Sequence, residues 1–151
     1  MDGSAPLARD ERHEQETLGQ LVRRARRAFV RALSAELAPF GISNAEWSAL
    51  RVLWRRVPPT QVELAEELLV EKASVTPVLA GLERKGLVER RRDPLDRRKT
   101  RLILTPRGRA LEATLLPVGE SVNARAEDGL SAADHAALRE GLRKVLAALG
   151  A

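Results

Sequence analysis

Only two histidines occur in the 151 residues, His13 and His135, and cysteine does not occur at all. Disulfides, thiolate metal sites and thiol redox chemistry are excluded together. The histidines lie far apart on polar segments, so a metal site would have to be built from carboxylates, and no ligand-like carboxylate spacing occurs. His135 is expected on a solvated helix face. Nucleophilic chemistry has no better footing. There is no Gly-x-Ser-x-Gly elbow, no glycine loop to cradle a phosphate, and no carboxylate pair flanked by apolar residues. The chain does not read as an enzyme, and no cofactor or metal is expected.

What remains is charge. Residues 90–105 read RRRDPLDRRKTRLILT, with seven basic and two acidic side chains in the first twelve positions. From Glu71 to Ala110 twelve Lys or Arg stand against five Asp or Glu, a net of +7 in a chain whose total is +5. The remainder therefore sums to −2, and all the excess positive charge lies in about a quarter of the chain. A basic patch on an otherwise near-neutral protein points to a polyanion partner.

The elements that must carry this charge are mostly helical. Hydrophobic residues make up 44% of the chain but are largely Ala, Leu and Val, with four aromatics: Phe29, Phe40, Trp47 and Trp54. That composition favours helix over sheet. No apolar run approaches the roughly 20 residues of a membrane span. The first residues, MDGSAPLARDERHEQE, are polar and of mixed charge, so a frayed tail over 1–17 is expected rather than a targeting peptide.

From Leu18 to Leu37 the apolar positions Leu18, Leu21, Val22, Ala25, Phe29, Ala32, Leu33 and Leu37 keep helical spacing for five turns. Arg23, Arg24, Arg27 and Arg31 fall largely off that stripe, and APFG at 38–41 ends it. SNAE at 43–46 is a capping box opening a second helix, with Trp47, Leu50, Leu53 and Trp54 on one side, stopped by VPP at 57–59. TQVE at 60–63 is another capping box. It opens a short helix that breaks near Val70 and leads into KASVTPVLAGLERKG, with Val75, Val78, Leu79 and Leu82 buried and Gly86 as the C-terminal cap. Two short helices across a tight turn suggest helix-turn-helix.

LVERRR and TRLILT are strand-like and flank the turn signal Asp93-Pro94, so the opening basic segment becomes a hairpin placed directly after the second helix: a wing. A protruding basic ribbon suits the narrow, electronegative minor groove. Thr105 and Pro106 open a further helix, expected to run to about Asp128 with a kink at Pro117. LSAAD starts the last helix, with Ala137, Leu138, Leu142, Val145, Leu146 and Leu149 inward. The fold class is mainly α with a small β-hairpin wing.

DPLDRRKTRLILTPRG carries the wing signature Asp-x-Arg, a strand ending Leu-Thr, then Gly, at Asp96, Arg98, Leu104, Thr105 and Gly108. With LAEEL (64–68), VTPVLAGLERKGLVER (75–90) and Trp47 early in the second helix, the chain resembles the MarR family of bacterial winged-helix regulators from about Leu18 onward. The resemblance implies a winged helix-turn-helix lobe over 41–105 and a helical dimerisation region over 18–40 and 106–151. It implies a cytoplasmic homodimer gripping a palindromic operator in double-stranded DNA. The recognition helix, Lys72 to Lys85, would enter the major groove with Lys72, Ser74, Thr76 and Pro77 exposed. Arg98 would enter the minor groove, oriented by Asp96. Arg90, Arg91, Arg92, Arg97 and Lys99 would contact phosphates or simply solubilise the ribbon. Trp47, first of all a core residue, would border the pocket of a small-molecule effector that releases a repressor.

Three departures stand out: Glu71 at the helix cap, Pro77 within the recognition helix, and Gly81, which costs about 1 kcal/mol relative to Ala. The missing cysteine excludes the peroxide-sensing thiol of one branch. The alternative function is a constitutive architectural DNA binder using the same wing without sequence preference. An RNA-binding winged helix lacks support, because no aromatic stacking platform accompanies the charge.

Overall fold

The computed structural model describes residues 16–150 apart from Arg56. The expected tail, up to Gln15 and including His13, lies outside the described residues. Seven α-helices and one hairpin run in order among them. They are α1 (Leu18–Leu37), α2 (Asn44–Leu53), α3 (Gln61–Glu67), α4 (Lys72–Arg84), β1 (Val88–Arg92), β2 (Thr100–Leu104), α5 (Pro106–Ala110), α6 (Glu112–Glu127) and α7 (Ala132–Ala148). A 3-10 turn, Ala38–Phe40, closes α1, with Gly41 left-handed at φ 65°.

Helix starts are fixed by side-chain caps. Thr17, Ser43, Thr60 and Ser131 each form a reciprocal capping box, satisfying backbone donors that a helix start otherwise leaves orphaned. Glu71, by contrast, makes no side-chain cap bond to α4. β1 and β2 pair antiparallel with Val88 opposite Leu104 and Arg92 opposite Thr100. The segment before α3 adds to the hairpin, since Leu102 N donates to the Pro59 carbonyl at 2.8 Å.

One core lies under the lobe. Leu50, Leu64, Leu79, Leu82 and Leu102 are fully buried, joined by Trp47, Trp54, Val75 and Leu87. Each such leucine contributes about 1.5–3 kcal/mol by leaving water. Gly108 sits where a Cβ would lie 2.1 Å from the Leu87 carbonyl oxygen, so the signature glycine is a close-packing residue.

The structure corrects one expectation. The helix after Thr105, expected to run on to about Asp128, is divided at Leu111, and Pro117 lies inside the continuous α6. The Gly108 carbonyl accepts from the indole Nε1 of buried Trp54 at 3.0 Å instead of extending the helical ladder. A helix carbonyl turned aside in this way releases the residue four positions on.

The terminal helices leave most of their apolar surface uncovered, although α1 touches α2 through Asn44, which donates to the Val30 carbonyl at 3.1 Å. Of α1 only Leu37 is buried, and of α7 no residue is. Leu18, Leu21, Phe29, Leu138, Leu142 and Leu146 are all exposed in the single chain.

Candidate nucleic-acid interface

On α4 the four residues singled out from sequence, Lys72, Ser74, Thr76 and Pro77, are all exposed, while Val75, Leu79 and Leu82 face the core. The helix runs unbroken through Pro77. Gly81 is explained by its neighbour: a Cβ there would lie 2.5 Å from Oε1 of Glu46. Glu46 is the capping-box carboxylate of α2 and also accepts from Lys85 Nζ at 2.5 Å, so α4 is tied to α2 beside that glycine. Burial works to raise the Glu46 pKa, but Lys85 and the Ser43 donors outweigh it and hold the group below its ordinary value.

The wing turn is a built structure. Asp93 is buried, and its carboxylate accepts from the backbone N–H of Leu95 at 2.8 Å and of Asp96 at 3.3 Å. Arg101 donates to the same carboxylate at 2.8 Å and to Glu63 at 2.8 Å, anchoring the hairpin to the start of α3. The Arg101 guanidinium, with those two backbone donors, lowers the Asp93 pKa. Beyond this anchor Asp96 accepts from the N–H of Arg98 at 3.1 Å and from its Nε, also at 3.1 Å. Arg98 nevertheless keeps 91% of its side-chain surface exposed. An arginine held by a carboxylate yet almost wholly in solvent is presented outward. Arg98 is also the first cause of the lowered Asp96 pKa.

The other basic residues separate by their partners. Arg90 turns back onto the lobe, donating to Glu83 at 2.8 Å and to Gln61 at 3.0 Å. Arg91 pairs with Glu89 on its own strand at 2.5 Å. Arg92, Arg97 and Lys99 are exposed. Sequence reasoning missed Gln61, Glu63, Asp93 and Arg101 as wing anchors; the only signal was an arginine alternating with apolar residues in TRLIL.

Trp47 is buried and borders a cavity of about 560 Å³ between α1, α2, α4 and α6. Arg51 stacks over its ring at 4.8 Å from the centroid. Gly119 of α6 lets the helix close on the indole. Ser74, predicted as a DNA-facing residue, also lines this cavity, as do Val75 and Val78.

A helix-turn-helix pair followed by a basic hairpin defines the winged-helix class of DNA-binding regulators. The sequence model of the MarR family matches residues 42–100. The transcriptional repressor NicR of Pseudomonas putida is 27% identical over 143 residues, 95% of this chain and 90% of its own length. A mutant of E. coli MarR complexed with operator DNA is 32% identical, with a TM-score of 0.79 over 85% of this chain and 93% of that one. Bordetella bronchiseptica BpsR, whose DNA binding is regulated by 6-hydroxynicotinic acid, is 28% identical, with a TM-score of 0.78 over 93% of this chain and 97% of that one. The chain belongs to the MarR family of winged-helix transcription regulators; it is a DNA-binding protein and not an enzyme. No helix among the described residues is long and apolar enough to cross a membrane.

Proposed function

We propose that the chain works as a cytoplasmic homodimer that binds a palindromic operator and represses transcription until a small molecule enters the Trp47 cavity. In this reading α4 lies in the major groove and Arg98 in the minor groove, while α1, α6 and α7 pair with those of a second copy. The observation that carries it is Arg98, almost fully exposed yet donating to one carboxylate through both its backbone N–H and its Nε. Solubility alone does not require that geometry. The uncovered apolar residues of α1 and α7 support the dimer, because exposed stripes of this length mark association surfaces. The cavity supports release. It is walled by α4 and by α1 and α6, so a ligand preferring one spacing of the two lobes shifts the dimer away from the spacing DNA needs.

The test uses duplexes enriched by the protein from a random pool. Arg98→Ala should lower affinity for the enriched duplex about tenfold or more and for random duplex less, the mark of a specific contact. Arg91→Ala should instead weaken both duplexes alike and flatten the slope of log K against log salt by about 0.9, the mark of one lost phosphate contact. Asp96→Ala should weaken binding as well, although it removes a negative charge near phosphates. Tighter binding by folded Asp96→Ala protein would reduce the wing to a charged ribbon. Failure to enrich any sequence would favour the architectural reading.

A further inference from the structure

Two turns of α4 apart, Thr76 and Glu83 stand on either side of Pro77. A single polar chain joins them from outside the helix. Glu83 Oε1 accepts from Arg90 Nε at 2.8 Å, and Arg90 Nη1 donates to Gln61 Oε1 at 3.0 Å. Gln61 Nε2 in turn donates to Thr76 Oγ1 at 2.8 Å, with the Lys72 carbonyl at 3.5 Å. The chain thus runs from the later half of α4 through β1 and the first residue of α3 to the earlier half of α4. Both ends of one amide are used, which fixes its orientation.

Pro77 has no N–H for the carbonyl four residues back, and its ring crowds that carbonyl. The joint between the two halves of α4 is therefore soft, and Glu71 adds no cap at its start. The polar chain spans that joint. It also ties β1, and through it the wing, to the same helix.

We infer that Gln61 is a positioning residue for DNA recognition: its amide clasps the two halves of the recognition helix to each other and to the wing. Arg90 is then an internal brace and not a phosphate contact. The hydroxyl of Thr76 is engaged by Gln61 and serves the clasp. The inference rests on the sequence-specific reading proposed above. Loss of the clasp removes no basic side chain, so non-specific attraction to phosphates persists while the register of base contacts is lost.

The probe is again the duplex enriched from a random pool by the wild-type protein, beside a random duplex. Gln61→Leu should bind the enriched duplex about tenfold more weakly and the random one within about twofold of wild type, with an unchanged salt slope. Thr76→Val should act likewise, Thr76→Ser should stay near wild type, and Gln61→Leu with Thr76→Val should be no worse than either alone, because both break one chain. Denaturation midpoints are measured alongside, and Gln61→Met, closer in shape, replaces leucine if that variant does not fold. Additive losses would mean that Thr76 touches DNA itself, and equal losses on both duplexes would mean general damage; either overturns the clasp. An enriched sequence bound equally well by wild type and Gln61→Leu overturns the clasp alone. A wild-type protein that enriches no sequence overturns the sequence-specific reading and the clasp's part in it.

Discussion

Gly119 offers a test in which the usual effect of a substitution should change sign. In an open helix interior Gly→Ala stabilises by about 1 kcal/mol. At Gly119 a Cβ would lie 2.4 Å from Cζ2 and 2.8 Å from Cη2 of Trp47. Carbon atoms pack best at about 3.5–4.0 Å, so the ring or the helix must retreat by about 1 Å. Neither is free to do so. Trp47 is buried, reaches the Leu115 carbonyl through Nε1 at 3.4 Å, and carries Arg51 over its face. Overpacking of this kind costs about 1–3 kcal/mol. After the gain in helix propensity, Gly119→Ala should lose up to about 2 kcal/mol and gain nothing. Urea denaturation at matched protein concentration reads this as a lower midpoint at unchanged slope. Trp47→Phe removes the clashing atoms, so the double variant should recover part of the loss relative to Trp47→Phe alone. A raised midpoint for Gly119→Ala, or strictly additive effects, would refute the packing argument.

Leu69, exposed in the turn between α3 and α4, has φ 55°, a region that favours glycine. Leu69→Gly should therefore stabilise the fold by about 0.5–1 kcal/mol and raise the midpoint; a fall would show that its side chain matters more than its backbone. Leu142→Asp with Leu146→Asp should yield a monomer by sedimentation, since α7 buries nothing within its own chain; a persistent dimer would move the interface elsewhere. The folded-state pKa of Glu46 is depressed, so its stabilisation is present at neutral pH and is lost as pH falls below the ordinary glutamate value. Glu46→Gln should be less stable near neutrality and should converge on wild type in acid. A constant gap across the titration would sink that assignment. A releasing ligand should alter Trp47 fluorescence, with Trp47→Phe abolishing the change; Trp54, bonded to the Gly108 carbonyl, should not respond.

The elements were legible wherever a side chain acts on its own neighbourhood. Ser43 and Thr60 announce their helices because a capping box is complete within four residues. The wing was legible because strand patterning, Asp93-Pro94 and the charge all fall within one short stretch. Partners distant in sequence were not. Nothing in RRR distinguishes Arg90 from Arg92 until Glu83 and Gln61 are brought beside the first of them. The division of the helix at Leu111 was hidden for the same reason. Pro117 is visible in sequence, whereas the indole of Trp54 taking the Gly108 carbonyl is a tertiary event.

Distant partners also decide the shape of the recognition helix. By its own residues α4 is a poor helix: an uncapped start, an interior proline costing about 3 kcal/mol and a glycine costing about 1. Burial of Val75, Leu79 and Leu82, at about 1.5–3 kcal/mol each, more than offsets this, but burial fixes only one face. The direction of the helix depends on its polar ties, Lys85 to Glu46 at one end and Thr76 to Gln61 at the other. A helix of high intrinsic propensity would hold its shape whatever its surroundings did. This one takes its shape from α2, α3 and β1, and Ser74, Val75 and Val78, on both sides of Pro77, also form a wall of the cavity. In the release mechanism proposed above, a ligand in that cavity would therefore press directly on the helix whose shape its neighbours set.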